Sequence, residues 1–426
     1  MKRIHWLRHM AMVLALALIV AACGSDEPDP AAEPDPAPAD EPADEPTDEP
    51  AAIEPVAITV GTLLPQTGAL APIIDALEEP IRMAAEEINA DFPGLITLEH
   101  ADSGTDPTVA SENVDQFLTG SHSAILGAAA SGVSTSIVDK VQDAGVVMCS
   151  GSNTAASLSI YEPYYIRTAP SDELQAPTLG DVIIDDGHLD VAVVWRNDEY
   201  GVGFGELLAE YLENSGVTVT LAEGYDPAAT SFADLMDDVA GSGAEALAMI
   251  TFEEGGQMVL DMQGRFDGQV YVADGFVDTV GADQLGGEVA LTEGFRGTYP
   301  SSAPETGEQT FVERFNEYSP GTPTIFSAQF YDCLMVVALA AQVAQSDDPT
   351  VFVDEIVGVT GPEGTECSFF ADCFELIQAG EEIDYLGASG PLDFLSNGQP
   401  STGTYEVIEF GTDGSYESER QVLVAP

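Results

Sequence analysis

From Val56 onward the chain alternates short apolar runs with longer stretches whose apolar residues recur at helical spacing, and few architectures accept that pattern. Val56–Thr62 reads as a strand. Asp75–Phe92 reads as a helix, with Leu77, Ile81, Ala84, Ala85 and Ile88 along one stripe; Pro80 inside it predicts a later start or a kink. Further strands are expected at Ile96–Ala101, Ala124–Gly127, Val146–Cys149, Tyr165–Thr168, Val191–Trp195, Val217–Ala222, Ala244–Ile250 and Gln269–Val272. Helical patterns separate most of them, among them Thr108–Leu118, Val133–Asp143, Leu174–Ile184, Phe204–Asn214, Phe232–Val239 and Gly256–Phe266. Such β-α alternation builds parallel sheets covered by helices on both faces. The number of strands fits two sheets better than one. Beyond residue 320 the pattern changes to a long helix, Phe326–Gln345, then shorter helices, and strands near Gly390–Phe394, Thr404–Phe410 and Tyr416–Val424.

Charge narrows the partners. The 426 residues carry 74 Asp and Glu against 11 Lys and Arg, a formal net charge of −63. A chain this acidic repels a phosphate backbone, which argues against nucleic acid as a partner. The acidity does not mean disorder throughout, because 45% of the residues are hydrophobic and fall in periodic segments. A carboxylate-rich surface stays hydrated in salty water, where salt also screens its self-repulsion.

The positive charges are unevenly placed. Lys2, Arg3 and Arg8 precede an uncharged apolar run, Ala11–Ala22, the layout of a secretory signal over residues 1–22. The run is too short to span a membrane as a helix, and no other apolar run in the sequence reaches that length. Val20-Ala21-Ala22-Cys23-Gly24-Ser25 resembles a bacterial lipobox, which implies cleavage before Cys23 and lipid on its sulfur. Residues 23–55 then form an acidic, Pro-rich segment, with twelve acids and eight prolines between Asp26 and Glu54. Missing backbone donors and like-charge repulsion predict an extended, disordered tether. With the signal and tether set aside, the folded part keeps 62 acids and eight Lys and Arg, an excess of 54 negative charges.

Several landmarks then occur in order: Gly61-Thr62-Leu63-Leu64-Pro65-Gln66-Thr67-Gly68, Ala84-Ala85-Glu86-Glu87-Ile88-Asn89, Leu126-Gly127 followed by Ser131, Tyr200-Gly201, Phe330-Tyr331-Asp332, and Gly387-Ala388-Ser389-Gly390-Pro391. Together they make residues 57–426 similar to the extracytoplasmic solute-binding proteins of ABC importers, of the leucine/isoleucine/valine-binding type. The resemblance implies an α/β type I periplasmic-binding-protein fold, with two Rossmann-like lobes joined by three crossovers and a ligand cleft between them. The first lobe would comprise 57–169 and 298–386, the second 170–297 and 387–426, with crossovers expected at Gly294–Thr298 and Leu386–Pro391. It further implies an amino acid or similar solute, an ABC permease as membrane partner, and no cofactor.

The site follows from strand ends, where open parallel sheets bind ligands. An α-carboxylate suits hydroxyls and free N–H groups at a helix start. The resemblance places Ser131, Ser152 and Thr154 there, although Ser and Thr also serve as caps and turn residues. An ammonium needs a carboxylate, and the resemblance matches Asp274, after the strand Gln269–Val272, to an acidic position. Phe252, Tyr200 and Phe326 are wall candidates that could equally be core. Two departures put branched-chain specificity in question: Ile73 stands where an aromatic is expected, and Asp274 where the leucine binders have Glu. Ligand contacts to both lobes would favour a closed state.

Four cysteines follow Cys23, and an exported chain favours disulfides. Cys367 and Cys373 are spaced to close a small loop. Cys149 and Cys333 remain as either a second bridge or two buried thiols. Catalytic readings find little support. The histidines His5, His9, His100, His122 and His188 have no metal-ligand spacing. Gly387-Ala388-Ser389-Gly390 lacks a spacer of the G-x-S-x-G elbow, and Gly201-Val202-Gly203-Phe204-Gly205 lacks the G-x-G-x-x-G spacing. The sequence therefore reads as a non-enzymatic importer component. A ligand sensor on the same lobes, or a binder of amides or urea, is the alternative, and a hydrolase is the different-class one. If the surface acidity serves salty water, the thermal midpoint of the folded domain rises between low salt and about 1 M NaCl; an unchanged midpoint overturns that reading.

Overall fold

A computed structural model describes residues 53–302 and 310–425. The signal, Cys23 and nearly all of the tether lie outside these residues. The strands are β1 (Ile58–Leu64), β2 (Ile96–Asp102), β3 (Ala124–Gly127), β4 (Val147–Ser150), β5 (Tyr165–Arg167), β6 (Asp190–Arg196), β7 (Thr218–Tyr225), β8 (Ala246–Ile250), β9 (Gln269–Val272), β10 (Arg296–Pro300), β11 (Thr365–Cys367), β12 (Ile383–Gly387), β13 (Gly390–Pro391), β14 (Gly403–Phe410) and β15 (Tyr416–Val424). The first sheet has the order β2-β1-β3-β4-β5 and is parallel throughout. The second runs β15-β14-β10-β9-β8-β6-β7, parallel from β7 to β10, with β14 and β15 added antiparallel. β3, β4 and β8 are buried along their whole length, which is why they read as continuous apolar runs rather than alternating ones.

Both sheets turn back at an equivalent place. The chain steps from β1 outward to β2 and returns across β1 to β3; it does the same from β6 to β7 and back to β8. Each reversal opens a crevice at the carboxyl ends of the strands. These are the two α/β lobes of the type I architecture.

The helix Ser327–Ala344 is the one helix among the described residues long and apolar enough to cross a membrane, yet 89% of it is buried inside the protein. It packs on Ile74–Asp91 and against β3 and β4. A helix apolar on all sides is a core helix when the protein surrounds it. Pro80 sits within Ile74–Asp91 without ending it.

Strand pairing relocates two of the expected crossovers. Arg296–Pro300 is a full strand of the second sheet, paired with β9 and β14, so the chain leaves that sheet near 301 and not within Gly294–Thr298. Gly297 looks like a break in the sequence, but a Cβ there would sit 2.5 Å from the Val272 carbonyl oxygen, so the glycine permits close packing of β10 on β9. Residues 387–400, expected in the second lobe, pack on the first. Asp332 accepts hydrogen bonds from the Ala388 and Ser389 N–H groups and the Tyr385 hydroxyl, and the Arg167 N–H donates to Gly398. The return to the second sheet falls at about 401–402, ahead of β14.

Cys149 on β4 is bonded to Cys333 on the long helix, and Cys367 on β11 to Cys373 on the helix Phe370–Gln378. The first bridge joins two segments of one lobe that are 184 residues apart in sequence, with the second lobe's main body between them.

Candidate functional site

The cleft is built from loops that follow the strands of both sheets. Ser131 opens the helix Ser131–Asp143 soon after β3, and Ser152 and Thr154 follow β4. Tyr200 lies in the first turn of Glu199–Asn214 after β6, Phe252 follows β8, and Asp274 follows β9. Phe326 precedes the long core helix in left-handed backbone, with φ of 56°. That conformation is strained for a bulky side chain, and such strain concentrates at sites of function. All seven residues line one small cavity, together with Leu70, Ile73, Ala129, Ala130, Gly275 and Thr279. Of these six, only Ile73 carried a sequence signal beyond position.

The first-lobe side is a donor surface. Ala130 precedes Ser131–Asp143 and offers no capping side chain, so the first-turn N–H groups are left for another acceptor. Ser131 Oγ accepts from the Ala155 N–H and keeps its own proton to donate. Ser152 Oγ donates to the Ala129 carbonyl at 2.9 Å. Thr154 Oγ1 is buried with no hydrogen bond of good geometry.

This loop is held from behind. Asn153 Nδ2 donates to the Ala128 and Ala129 carbonyls, and the Tyr165 hydroxyl donates to Asn153 Oδ1. Arg167, fully buried, donates through Nη1 to the Asn153 and Ala155 carbonyls. Gly151 lets the loop lie against the core helix: a Cβ there would be 2.7 Å from the Phe330 nitrogen and ring.

The second-lobe side carries the charge and the aromatic wall. Tyr200 and Phe252 stack with centroids 5.4 Å apart, and the Arg196 guanidinium lies 3.6 Å from the Phe252 centroid. Arg196 is itself paired with Asp198 at 2.7 Å and Glu254 at 2.9 Å, which fixes the wall. Asp274 is 4% exposed, and its Oδ1 accepts from Gln175 Nε2 at 2.9 Å and the Tyr200 hydroxyl at 3.1 Å. Burial pushes its carboxyl up to about 7 despite those two bonds.

One residue that sequence reasoning missed stands behind the cavity. Asp172 is fully buried at the start of Asp172–Asp185, where neither carboxylate oxygen has a hydrogen bond of good geometry and the Thr154 hydroxyl is the neighbouring donor. Burial, then repulsion from Asp274, holds its carboxyl well above the usual range. The helical pattern seemed to begin at Leu174, which left Asp172 reading as one more solvated acid among 74. The available signal was its place directly after the short strand β5.

Comparison with known proteins agrees with this layout. The sequence pattern of a family described as periplasmic binding protein matches residues 57–411. A chemotactic signal transduction system substrate-binding protein, BasB, of Halobacterium salinarum is 24% identical over 86% of this chain and 89% of its own. A leucine binding protein LivK from Thermotoga maritima superimposes with a TM-score of 0.73 at 19% identity, covering 86% of this chain and 99% of its own. LivJ from Streptococcus pneumoniae, solved with isoleucine, has a TM-score of 0.70 at 18% identity, covering 87% and 100%.

A carboxyl raised by burial favours the folded state when protonated. Its contribution is full below the unfolded value of 3.8 and is lost as pH rises through about 7. Asp274→Asn in the ligand-free protein is therefore expected to melt higher than wild type at pH 8 and no higher at pH 4, read by calorimetry at both values.

Proposed function

This chain belongs to the periplasmic binding protein family, and on that premise we propose that it captures an amino acid outside the cytoplasm and hands it to an ABC permease. It is a type I extracytoplasmic solute-binding protein related to the Leu/Ile/Val-binding proteins, a class that binds small solutes and does not catalyse reactions. The amino-acid reading rests on one observation. Hydroxyls and a helix start on one lobe face a buried carboxylate on the other, across a small cavity with apolar and aromatic walls. That is the charge pattern complementary to a zwitterion.

In this reading Ser131, Ser152 and Thr154 take the α-carboxylate and Asp274 takes the ammonium. Tyr200, Phe252, Phe326 and Ile73 enclose the side chain. A solute touching both lobes stabilises the closed arrangement, and closure presents a surface to the permease. The small Ile73, with a short Asp at 274, leaves the choice among amino acids wider than the branched-chain ones. A thermal-shift panel of the twenty standard amino acids, small amides and urea tests this. At least one amino acid is expected to raise the melting point, and Asp274→Ala to weaken its binding by roughly a hundredfold. Stabilisation by urea or an amide alone overturns the reading.

One second reading has a specific support. The Halobacterium relative is named as a chemotactic signal transduction component, so the same lobes could report on a solute rather than deliver it. Deleting the gene and measuring both uptake and chemotaxis toward the bound amino acid separates the two.

We also propose that the protein is held at the membrane by lipid on Cys23, with residues 24–55 as spacer. Cys23→Ser is expected to move it from the membrane fraction to the soluble one. Retention of the variant in the membrane fraction overturns the anchor.

A further inference from the structure

We propose that Gln175 is a positioning residue of the solute site: together with Tyr200 it fills one oxygen of Asp274, so that the other oxygen alone is offered to the ammonium group of a bound amino acid. The proposal deepens the amino-acid reading and rests on its assignment of the ammonium to Asp274.

Gln175 lies in the first turn of the helix Asp172–Asp185, fully buried, and does not itself line the cavity. Its Nε2 donates to Asp274 Oδ1 at 2.9 Å and to the Thr298 carbonyl, on β10, at 3.0 Å. An amide nitrogen carries two N–H bonds, and both are used here. The carbonyl of Thr298 can only accept, so the nitrogen of the amide, and not its oxygen, must face it. Gln175 Oε1 is left buried with no hydrogen bond. That orphaned oxygen speaks against a purely packing role. A buried acceptor without a partner destabilises a fold, whereas an apolar side chain of similar size fills the same space without that penalty. What Nε2 does for Asp274 accounts for an amide at this position.

Asp274 stands on the loop after β9, and its carboxylate would otherwise turn about its own side-chain bonds. Two elements stop it. Gln175 reaches Oδ1 from one helix, and the Tyr200 hydroxyl reaches the same atom at 3.1 Å from the helix Glu199–Asn214. The Gly275 N–H donates to that hydroxyl at 3.3 Å and so fixes the direction of its proton. Two donors fill the lone pairs of one carboxylate oxygen. The remaining capacity is at Oδ2, which receives no side-chain donor among the described residues. Because Asp274 lines the cavity, that capacity is the part of the carboxylate a solute can use.

The bond to Thr298 sets how firmly this is held. β10 pairs with β9 and β14 inside the second sheet, so the amide is anchored on the sheet and not on another loop. A carboxylate ordered before the solute arrives need not be ordered by it, which strengthens binding without adding a contact. With an apolar residue at 175, Oδ1 keeps only the Tyr200 donor, and the carboxylate meets the ammonium in more than one orientation.

The test is titration calorimetry of the purified protein with each of the twenty standard amino acids. Wild type is compared with Gln175→Met and Gln175→Leu, and each replacement is repeated beside Asp274→Ala, with folding checked by circular dichroism. Either replacement is expected to weaken binding by about tenfold when Asp274 is present. It is expected to weaken binding by less than about twofold beside Asp274→Ala, because the residue acts only through that carboxylate. Equal losses in the two backgrounds, or no loss when Asp274 is present, overturn the positioning role and leave the amino-acid reading intact. A crystal structure of the wild type with the bound amino acid decides the matter even if neither replacement folds. The ammonium is expected on Oδ2 with Gln175 Nε2 still on Oδ1. An ammonium on Oδ1, or Gln175 turned away from Asp274, overturns the proposal alone. An ammonium held away from Asp274, or binding by none of the twenty, overturns the amino-acid reading and the proposal with it.

Discussion

A parallel strand buried on both faces can offer a solute only its ends. That constraint organises the molecule. β3, β4 and β8 are buried along their whole length, so the hydroxyls, carboxylates and aromatic rings of the site gather in the loops after them and after β9. The reversals of strand order at β1/β3 and β6/β8 then open a crevice in each lobe, and the two crevices face one another across the cavity.

Loops used in this way must be held rigid without a sheet's hydrogen bonds, and the two lobes do so differently. On the first, hydrogen-bond donors converge on one turn: Asn153 reaches the Ala128 and Ala129 carbonyls, while Tyr165 donates to the Asn153 side chain and the buried Arg167 to the Asn153 and Ala155 carbonyls. The Cys149–Cys333 bridge joins the strand before that turn to the helix after Phe326, so two walls of the cavity share one anchor. On the second lobe the aromatic wall depends on charge, because Arg196 lies over Phe252 while Asp198 and Glu254 fix the guanidinium. A guanidinium neutralised this way can sit beside a ring inside the protein without an uncompensated cost.

Acidity plays two separate roles. Most carboxylates are solvated surface charges whose number speaks of the solvent. Asp172, Asp274 and Asp332 are buried exceptions, as are Asp384 and Glu406. Asp332 spends its oxygens on Tyr385, Ala388 and Ser389 and so closes a loop. Asp274 keeps only part of its capacity occupied. Its incomplete partnering, rather than its charge as such, separates the carboxylate proposed to meet a solute from one that serves the fold.

Local pattern was enough for what depends on local physics. Apolar runs bounded by helical spacing identified the parallel strands β1 to β9 and most of the extent of the helices between them, because burial on both faces leaves an unbroken signal in the sequence. Position after those strands, read through the family resemblance, selected Ser131, Ser152, Thr154, Tyr200, Phe252 and Asp274 as candidates, with Phe326 before the long helix, and the fold brings all seven to one cavity. Pairing between distant segments was not legible. β10 was misread as a crossover because its Gly297 looks like a break until β9 is beside it, and residues 387–400 changed lobe because Asp332, more than fifty residues earlier, holds them. The burial of Asp172 was equally invisible, since a carboxylate in sequence looks the same in water or in a dry interior. Secondary structure and the chemistry of the strand ends are short-range properties, which the sequence carries by itself; which acids lose their water, and which cysteines meet, depend on contacts that only the folded chain creates.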